Sequence, residues 1–203
     1  MAVQSRFKAR VLLGLGANCP GPWGTPAETF TRALDELARR GVTVEAVSHL
    51  YETAALGSAR QAPYLNAVAL VSTRLPPPAL LRLLKQIEAR AGRRRGGRPW
   101  GSRTLDIDIL DYKGIRLNWS KRKAGQPRRQ NRPLVLPHAE IERRPFVLLP
   151  LLDVAPDWRH PVTKVSARTL WRRVEKRGQG SVAARMSWPP SAPLRLASLG
   201  RTA

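Results

Sequence analysis

Two aspartates stand one residue apart in TLDIDIL (104–110), a stretch that otherwise has the composition of a buried strand. Because side chains alternate between the two faces of a strand, we expect Asp106 and Asp108 to share one face and the apolar residues to share the other. Like charges on one face repel each other without a counterion. Carboxylates with no cysteine or histidine beside them suit Mg²⁺. The pair is therefore a candidate magnesium site, and an ordinary solvent-facing strand is the alternative.

Arginines cluster directly before this pair, in the glycine-rich segment RRRGGRPWGSR (93–103). One guanidinium group can donate two parallel hydrogen bonds to a phosphate, and it stays positively charged. Acids that hold magnesium, together with arginines that neutralise phosphates, are typical of phosphoryl or nucleotidyl transfer. The chain has no G-x-x-x-x-G-K-[ST] motif, so it is not a P-loop protein. A solvated basic loop is the alternative for the arginines.

The composition favours polyanionic partners, because 36 Lys and Arg residues against 14 Asp and Glu give a formal net charge of +22. The 203 residues, 42% of them hydrophobic, are enough for one well-buried domain. A single cysteine, Cys19, excludes an intramolecular disulfide and is typical of a reducing compartment. No apolar run approaches the roughly 20 residues that span a bilayer. We therefore expect a cytoplasmic protein that does not span a membrane.

The elements that must position the acids alternate between strand and helix patterns. Strands are predicted over residues 10–16, 42–51, 64–73 and 104–110, and helices over 26–38 and from the three prolines at 76–78 to 91. Thr25 is a plausible N-cap for the first helix, with Pro26 at its first position. The order βαββαβ predicts an α+β ferredoxin-like sandwich, an antiparallel sheet with both helices on one face. The other face is expected to stay open for a site.

Several blocks resemble one enzyme family in their order along residues 10–157. They are LGAN (15–18), YET (51–53), YLN (64–66), RPWGSRTLDID (98–108), LPH (136–138) and RPF (144–146). This set is similar to 6-hydroxymethyl-7,8-dihydropterin pyrophosphokinase. The resemblance implies transfer of the β,γ-pyrophosphoryl group of ATP, as one unit, to the hydroxymethyl oxygen of the pterin, which leaves AMP. It also implies a place in folate biosynthesis, and two Mg²⁺ ions at Asp106 and Asp108.

The resemblance implies roles for individual side chains. The positions that match catalytic ones are Arg93, Arg103, Asp106 and Asp108. The positions that match nucleotide contacts are Glu88, Arg95, Trp100, Arg103, Ile109, His138 and Arg144. The positions that match pterin contacts are Thr53, Leu56, Tyr64, Asn66, Trp100 and Phe146. A flat ring rich in donors and acceptors needs an aromatic wall and an amide, which Phe146 and Asn66 provide. Without the resemblance, Tyr64 and Phe146 could equally be core aromatics. Glu88 would then be interpreted as a solvated charge on a helix, and Ile109 as a core residue.

The chain departs from the family pattern at a few places. Ala54-Ala55 stands where proline is frequent, Lys85 where glutamine is common, and Ala139 where a larger residue is frequent. The shorter family members lack the basic segment SKRKAGQPRRQNR (120–132). We expect one catalytic domain over 1–177, which includes this insertion, and a loosely ordered tail over 178–203.

Two other functions share parts of this pattern. An RNA-binding ferredoxin-like module would fit the charge, but it needs exposed aromatics on the sheet, where this chain has two acids. Another metal-dependent nucleotidyltransferase or nuclease would use the acid pair, but it leaves YLN, LPH and RRPF unexplained. The expected partners are therefore ATP and the pterin, with no membrane and at most weak, non-specific nucleic acid binding. We expect a monomer.

Overall fold

The computed structural model describes residues 8–54, 62–93, 102–119, 133–176 and 182–188. The strands are β1 (Ala9–Ala17), β2 (Thr43–Val47), β3 (Leu50–Thr53), β4 (Tyr64–Thr73), β5 (Asp106–Tyr112) and β6 (Val182–Met186). The helices are α1 (Pro26–Arg39), α2 (Pro77–Arg90), α3 (Pro145–Val154) and α4 (Ala167–Glu175), and a 3-10 turn covers Ile141–Arg143. Within these ranges, no helix has both the length and the apolar character needed to cross a bilayer.

All strand pairs in the sheet are antiparallel. The order across the sheet is β5-β1-β4-β3-β6, and β2 pairs with β4 beside β3. This confirms the predicted α+β class with an antiparallel sheet and helices packed on it. The central position of β1 matters for the site, because Gly16 lies between Asp106 on one neighbouring strand and Asn66 on the other.

The predicted single strand over 42–51 is two strands in the structure. The break lies at Ser48 and His49, between β2 and β3. The backbone N–H of Val68 donates to the hydroxyl of Ser48 at 3.0 Å. A side-chain acceptor here competes with the regular ladder of backbone bonds, so the strand is interrupted although its composition favours extended structure.

Helices α1 and α2 pack on one face of the sheet. This core contains Leu13, Leu15 and Ile107, each at most 3% exposed. Helix α1 begins as predicted, since the Thr25 hydroxyl accepts from the backbone of Glu28 while the Glu28 carboxylate accepts from the backbone of Thr25. This reciprocal capping gives side-chain acceptors to two backbone N–H groups that would otherwise be unpaired at the start of the helix.

The opposite face, which was predicted to stay open for a site, is covered in part by helices. Helix α3 packs against Leu12, Val68 and Leu110, and α4 packs in turn on α3. The sequence PFVLLPLLDV of α3 is apolar almost all round, and such a helix is stable only when it is buried. Among the described residues, none covers the end of the face that carries Gly14, Gly16 and the two aspartates.

The prediction of a loosely ordered tail is wrong for residues 182–188. Strand β6 pairs with β3, and the indole N–H of Trp188 donates to the backbone oxygen of Ser48 at 2.8 Å. The ring of Trp188 also lies 6.5 Å from that of Phe30, centroid to centroid. Composition alone misses this strand because its partner lies more than 100 residues earlier. The rest of the predicted tail and the 120–132 insertion fall outside the described residues.

Candidate active site

The uncovered end of the sheet forms the floor of a cavity of about 340 Å³. The backbone of β1 is exposed to the cavity at two glycines, Gly16 opposite Asp106 and Gly14 opposite Asp108. A residue with a side chain at either position would occupy part of this space. The cavity is lined by Gly14, Leu15, Gly16, Thr53, Ala54, Tyr64, Asn66, Ala67, Arg103, Asp106, Asp108, Leu110, Glu140, Arg143, Arg144, Phe146 and Val147.

Asp106 lies among three cationic side chains. Arg93 and Arg103 each form an ion pair with its carboxylate, one on each oxygen, and the Lys85 ammonium lies 3.9 Å away. Burial and the nearby charge of Asp108 act to raise the pKa of Asp106, but the two guanidinium groups and the lysine outweigh them. The pKa of Asp106 therefore lies below its ordinary value. This carboxylate is ionised and able to bind a cation.

Asp108 lies beside two other basic side chains, which come from later in the chain. The Arg144 guanidinium lies 3.4 Å from its carboxylate, and Nε2 of His138 lies 3.6 Å from it. The His138 ring is held close because its backbone N–H donates to Leu110 of β5 at 2.8 Å. The two acids thus share one face of β5, and each has different basic side chains beside it.

Glu88 of α2 lies behind the acid pair and is 1% exposed. Its carboxylate accepts from the backbone N–H of Ile107 at 2.7 Å and forms ion pairs with Lys85 at 2.5 Å and Arg93 at 2.7 Å. Burial raises the pKa of Glu88, while both cations act in the opposite direction. In this arrangement Glu88 anchors Arg93 and the strand, and its predicted contact with the nucleotide stays a prediction.

The other wall of the cavity carries the side chains predicted to hold the pterin. The Asn66 amide donates to the Thr53 hydroxyl at 2.9 Å and to the backbone oxygen of Tyr64 at 3.2 Å. Its orientation is therefore set by β3 and β4 together. Phe146 lies across the cavity at the start of α3, with the Arg144 guanidinium 5.7 Å from its ring centroid. A cation over an aromatic face at this distance is favourable and stabilises both side chains.

The structure brings most of the predicted residues together, but not all. Thr53, Tyr64, Asn66, Arg103, Asp106, Asp108, Arg144 and Phe146 line one cavity, and Arg93 and His138 contact the acid pair. Ile109 is 2% exposed and lies in the core against the helices, so its side chain does not reach the cavity. Leu56, Arg95 and Trp100 lie outside the described residues.

Several lining residues were not predicted from the sequence. Gly14 and Gly16 lie on the same face of β1 as Leu12, because successive residues of a strand alternate between its two faces. Two glycines at this spacing indicate that this part of the face carries no side chains. Glu140 and Arg143 lie on the turn before α3 and reach the cavity through the packing of that helix. No local pattern marks them, because their place depends on a contact between distant parts of the chain.

The donor set at the floor of the cavity fits magnesium bound together with phosphates. Within the described residues, no cluster of three or more His, Cys, Asp or Glu side chains forms a complete protein site for a metal. Mg²⁺ is typically held by one or two carboxylates and completes its shell with water and substrate phosphates. Asp106 and Asp108, 17% and 15% exposed at their side chains, supply that number of carboxylates.

The amino-acid sequence matches one known protein family. The sequence profile of the 7,8-dihydro-6-hydroxymethylpterin-pyrophosphokinase (HPPK) family matches residues 12–156. The chain is 38% identical over 149 residues to a 2-amino-4-hydroxy-6-hydroxymethyldihydropteridine pyrophosphokinase of Methylorubrum extorquens, covering 73% of this chain and 84% of that protein. A protein of the same name from Pseudomonas aeruginosa is 40% identical over 153 residues, covering 75% and 84%.

Solved structures show the same fold. The crystal structure of wild-type HPPK-DHPS from Plasmodium falciparum with SDX-DHP superposes with a TM-score of 0.64 and 15% identity, covering 87% of this chain. The chain spans 46% of that longer protein. The profile match and the bacterial relatives, which this chain covers over most of their length, establish that it belongs to the 7,8-dihydro-6-hydroxymethylpterin-pyrophosphokinase family.

Proposed function

We propose that the cavity between β1, β5 and α3 is the place where ATP and 6-hydroxymethyl-7,8-dihydropterin meet. Pyrophosphokinase activity in folate biosynthesis, with ATP as co-substrate, follows from membership of the family. One observation supports this location above all: the carboxylates of Asp106 and Asp108 line the same cavity as Tyr64, Asn66 and Phe146. To bring a triphosphate and a flat pterin ring together, a site needs a charged half next to a half with an aromatic wall and hydrogen-bonding groups.

The charged half is suited to a triphosphate with magnesium. Asp106 and Asp108 would hold two Mg²⁺ ions with ATP, and the bound metal supplies positive charge to the phosphate oxygens and makes the β-phosphorus more electrophilic. Arg93 and Arg103 now neutralise Asp106. When a cation binds that carboxylate, the two guanidinium groups would be available to the phosphates and would stabilise the charge that develops during transfer.

The flat half is suited to the pterin ring. Phe146 provides an aromatic wall, and Asn66 presents an amide whose direction is set by Thr53 and Tyr64. Held there, the pterin directs its hydroxymethyl oxygen toward the acid pair. The new bond forms between that oxygen and the β-phosphorus, and the hydroxyl proton is released. The bond from the β-phosphorus to the oxygen shared with the α-phosphate breaks, and AMP leaves. The protein contributes chiefly by positioning the two substrates.

The order of the strands supports a more specific fold class. With β2 and β3 counted together as one interrupted strand, the order β5-β1-β4-β3 is that of a four-stranded ferredoxin-like sheet, with α1 and α2 as its crossover helices. We assign the part before α3 to that class. The monomeric state, the cytoplasmic location and the weakness of any nucleic acid binding stay predictions.

The experiment that tests this proposal follows the products of one reaction. The protein is mixed with ATP, Mg²⁺ and 6-hydroxymethyl-7,8-dihydropterin, and nucleotides and pterins are separated by chromatography. We expect AMP in equal amount to a diphosphorylated pterin, and no AMP when the pterin or the metal is left out. Formation of ADP in place of AMP, or no reaction with all components present, would show that the assignment is wrong.

A further inference from the structure

The segment 182–188 lies beyond the part of the chain that matches the family profile, which ends at residue 156. It nevertheless joins the sheet that carries the cavity. Strand β6 pairs with β3 from Leu50 opposite Met186 to Thr53 opposite Val182. Before this addition β3 would be an edge strand of four residues, joined to β4 by three residue pairs only. Short edge strands with few partners open easily.

Side chains anchor the same segment at two further points. The Arg185 guanidinium lies 2.8 Å from Nδ1 and 3.0 Å from Nε2 of His49, and Nδ1 also lies 2.9 Å from the carboxylate of Asp153 in α3. The Trp188 indole donates to Ser48 at 2.8 Å and packs near Phe30 of α1. The segment is thus connected to the start of β3 and to helices on both faces of the sheet.

The end of β3 is where the sheet meets the pterin half of the cavity. Thr53, its last residue, lines the cavity and accepts the hydrogen bond that orients Asn66. Thr53 is also the β3 residue opposite Val182. Pairing by β6 therefore acts directly on the residue that sets the direction of the Asn66 amide. Asp106 and Asp108 lie on β5, at the far side of β1 and β4 from this contact.

We propose that residues 182–188 are a positioning element for the pterin half of the site, which hold Thr53, and through it Asn66, by pairing the open edge of β3. This inference rests on the proposed function of the cavity. Loss of this pairing should affect the two substrates differently. Displacement of β3 disturbs the pterin half of the cavity and leaves the acid pair and its arginines in place. Loss of the anchors is therefore expected to change recognition of the pterin and not of ATP.

The test uses the full chain with the double substitution Arg185→Ala/Trp188→Ala. The KM for 6-hydroxymethyl-7,8-dihydropterin is expected to rise about tenfold, since small displacements of positioning groups have effects of this order or larger. The KM for ATP is expected to stay within about twofold of the unchanged protein by the same reasoning. Ser187→Ala is the matched control, because Ser187 is exposed between the two anchors, and it should change neither constant.

A second measurement reports on the strand itself. Hydrogen exchange of the backbone amides of residues 50–54 should become faster in the double variant, while exchange in β5 stays unchanged. Equal increases in both KM values, or an unchanged pterin KM with faster exchange, would overturn the inference. These outcomes differ from failure of the proposed function, in which the unchanged protein itself makes no AMP.

Discussion

The carboxylate of Glu88 accepts a hydrogen bond of 2.7 Å from the backbone N–H of Ile107, the residue between the two aspartates. A buried acid on a helix thus fixes the position of the strand from which both carboxylates reach the cavity. The same carboxylate holds Arg93, which in turn contacts Asp106. Strand, acid and arginine are connected through one side chain that does not itself line the cavity.

Replacement of Glu88 should therefore weaken both the fold and the site. Glu88→Gln keeps an oxygen for Ile107 but removes the charge that faces Lys85 and Arg93. We expect the free energy of unfolding to fall by about 2 kcal/mol, the usual size of a hydrogen bond to a charged group, because Lys85 and Arg93 lose the carboxylate that pairs with them. The KM for ATP should rise as well, since Arg93 loses its anchor. Urea unfolding and initial rates of AMP formation measure the two effects.

The control for this substitution is Glu45→Gln. Glu45 pairs with Arg10, whose side chain is 68% exposed. Exposed pairs contribute at most about 1 kcal/mol, so this variant should unfold almost like the unchanged protein. If both variants unfold alike, the contacts of Glu88 with Ile107 and Arg93 do not stabilise the fold.

The acid pair should be needed for turnover and not for folding. Asp106→Asn and Asp108→Asn keep the shape of each side chain but remove the charge that would hold magnesium. We expect AMP formation to fall by about a thousandfold or more in each, because the phosphates lose their bound positive charge. Circular dichroism should remain unchanged. Asp157→Asn, at an exposed position, is the control and should keep full activity; near-normal turnover in either site variant would contradict the metal role.

Gly16 should matter for the cavity and little for stability. Among the described residues, a Cβ at this position would meet Asn66 Oδ1 alone, at 3.7 Å, which is an ordinary contact. Gly16→Ala is expected to leave the free energy of unfolding unchanged or to raise it by about 0.5 kcal/mol, since alanine restricts the unfolded chain. The methyl group would stand on the cavity floor between Asp106 and Asn66, so the pterin KM should rise.

Gly14→Ala provides the comparison for Gly16→Ala. A Cβ at Gly14 would lie 3.2 Å from the Leu110 side chain, which must then shift. This variant should be less stable than Gly16→Ala in thermal unfolding. Equal activity of Gly16→Ala and the unchanged protein would show that the glycine floor is not part of the pterin site.

The free energy of unfolding should depend on the protonation of Tyr51 at high pH. Its hydroxyl donates to Asp153 at 2.9 Å, and burial, followed by this bond and the charge of Asp153, raises the pKa of Tyr51 to about 12. An unfolded tyrosine has a pKa of about 10. Because the folded pKa is the higher one, the contribution of the protonated phenol is complete below pH 10 and is lost as the pH rises toward 12.

Tyr51→Phe is therefore expected to be less stable than the unchanged protein by about 1 kcal/mol near neutral pH, the usual size of one hydrogen bond. The difference should shrink as the pH rises above 10, because only the unchanged protein loses this interaction. Urea unfolding at a series of pH values measures it. A difference that stays constant over that range would contradict the account of Tyr51.

Patterns of a few residues predicted the strand with the acid pair and the start of α1. Ile107 and Ile109 are buried and the two aspartates line the cavity, as alternation requires. The predicted bounds of that strand, 104–110, are shifted by two residues from the observed Asp106–Tyr112. The split of the second strand, the cover of α3 over the sheet and the strand β6 all depend on partners far away in the chain, so local patterns did not predict them.

The amino-acid sequence by itself determined which side chains share a face of each strand and which blocks mark the family, because alternation and capping depend on covalent geometry within a few residues. Only the tertiary structure decided that Glu88 lies behind the acid pair, that Arg144 and His138 face Asp108, and that β6 closes the edge of β3. These contacts join residues distant in sequence, and their geometry follows from how the helices and strands pack.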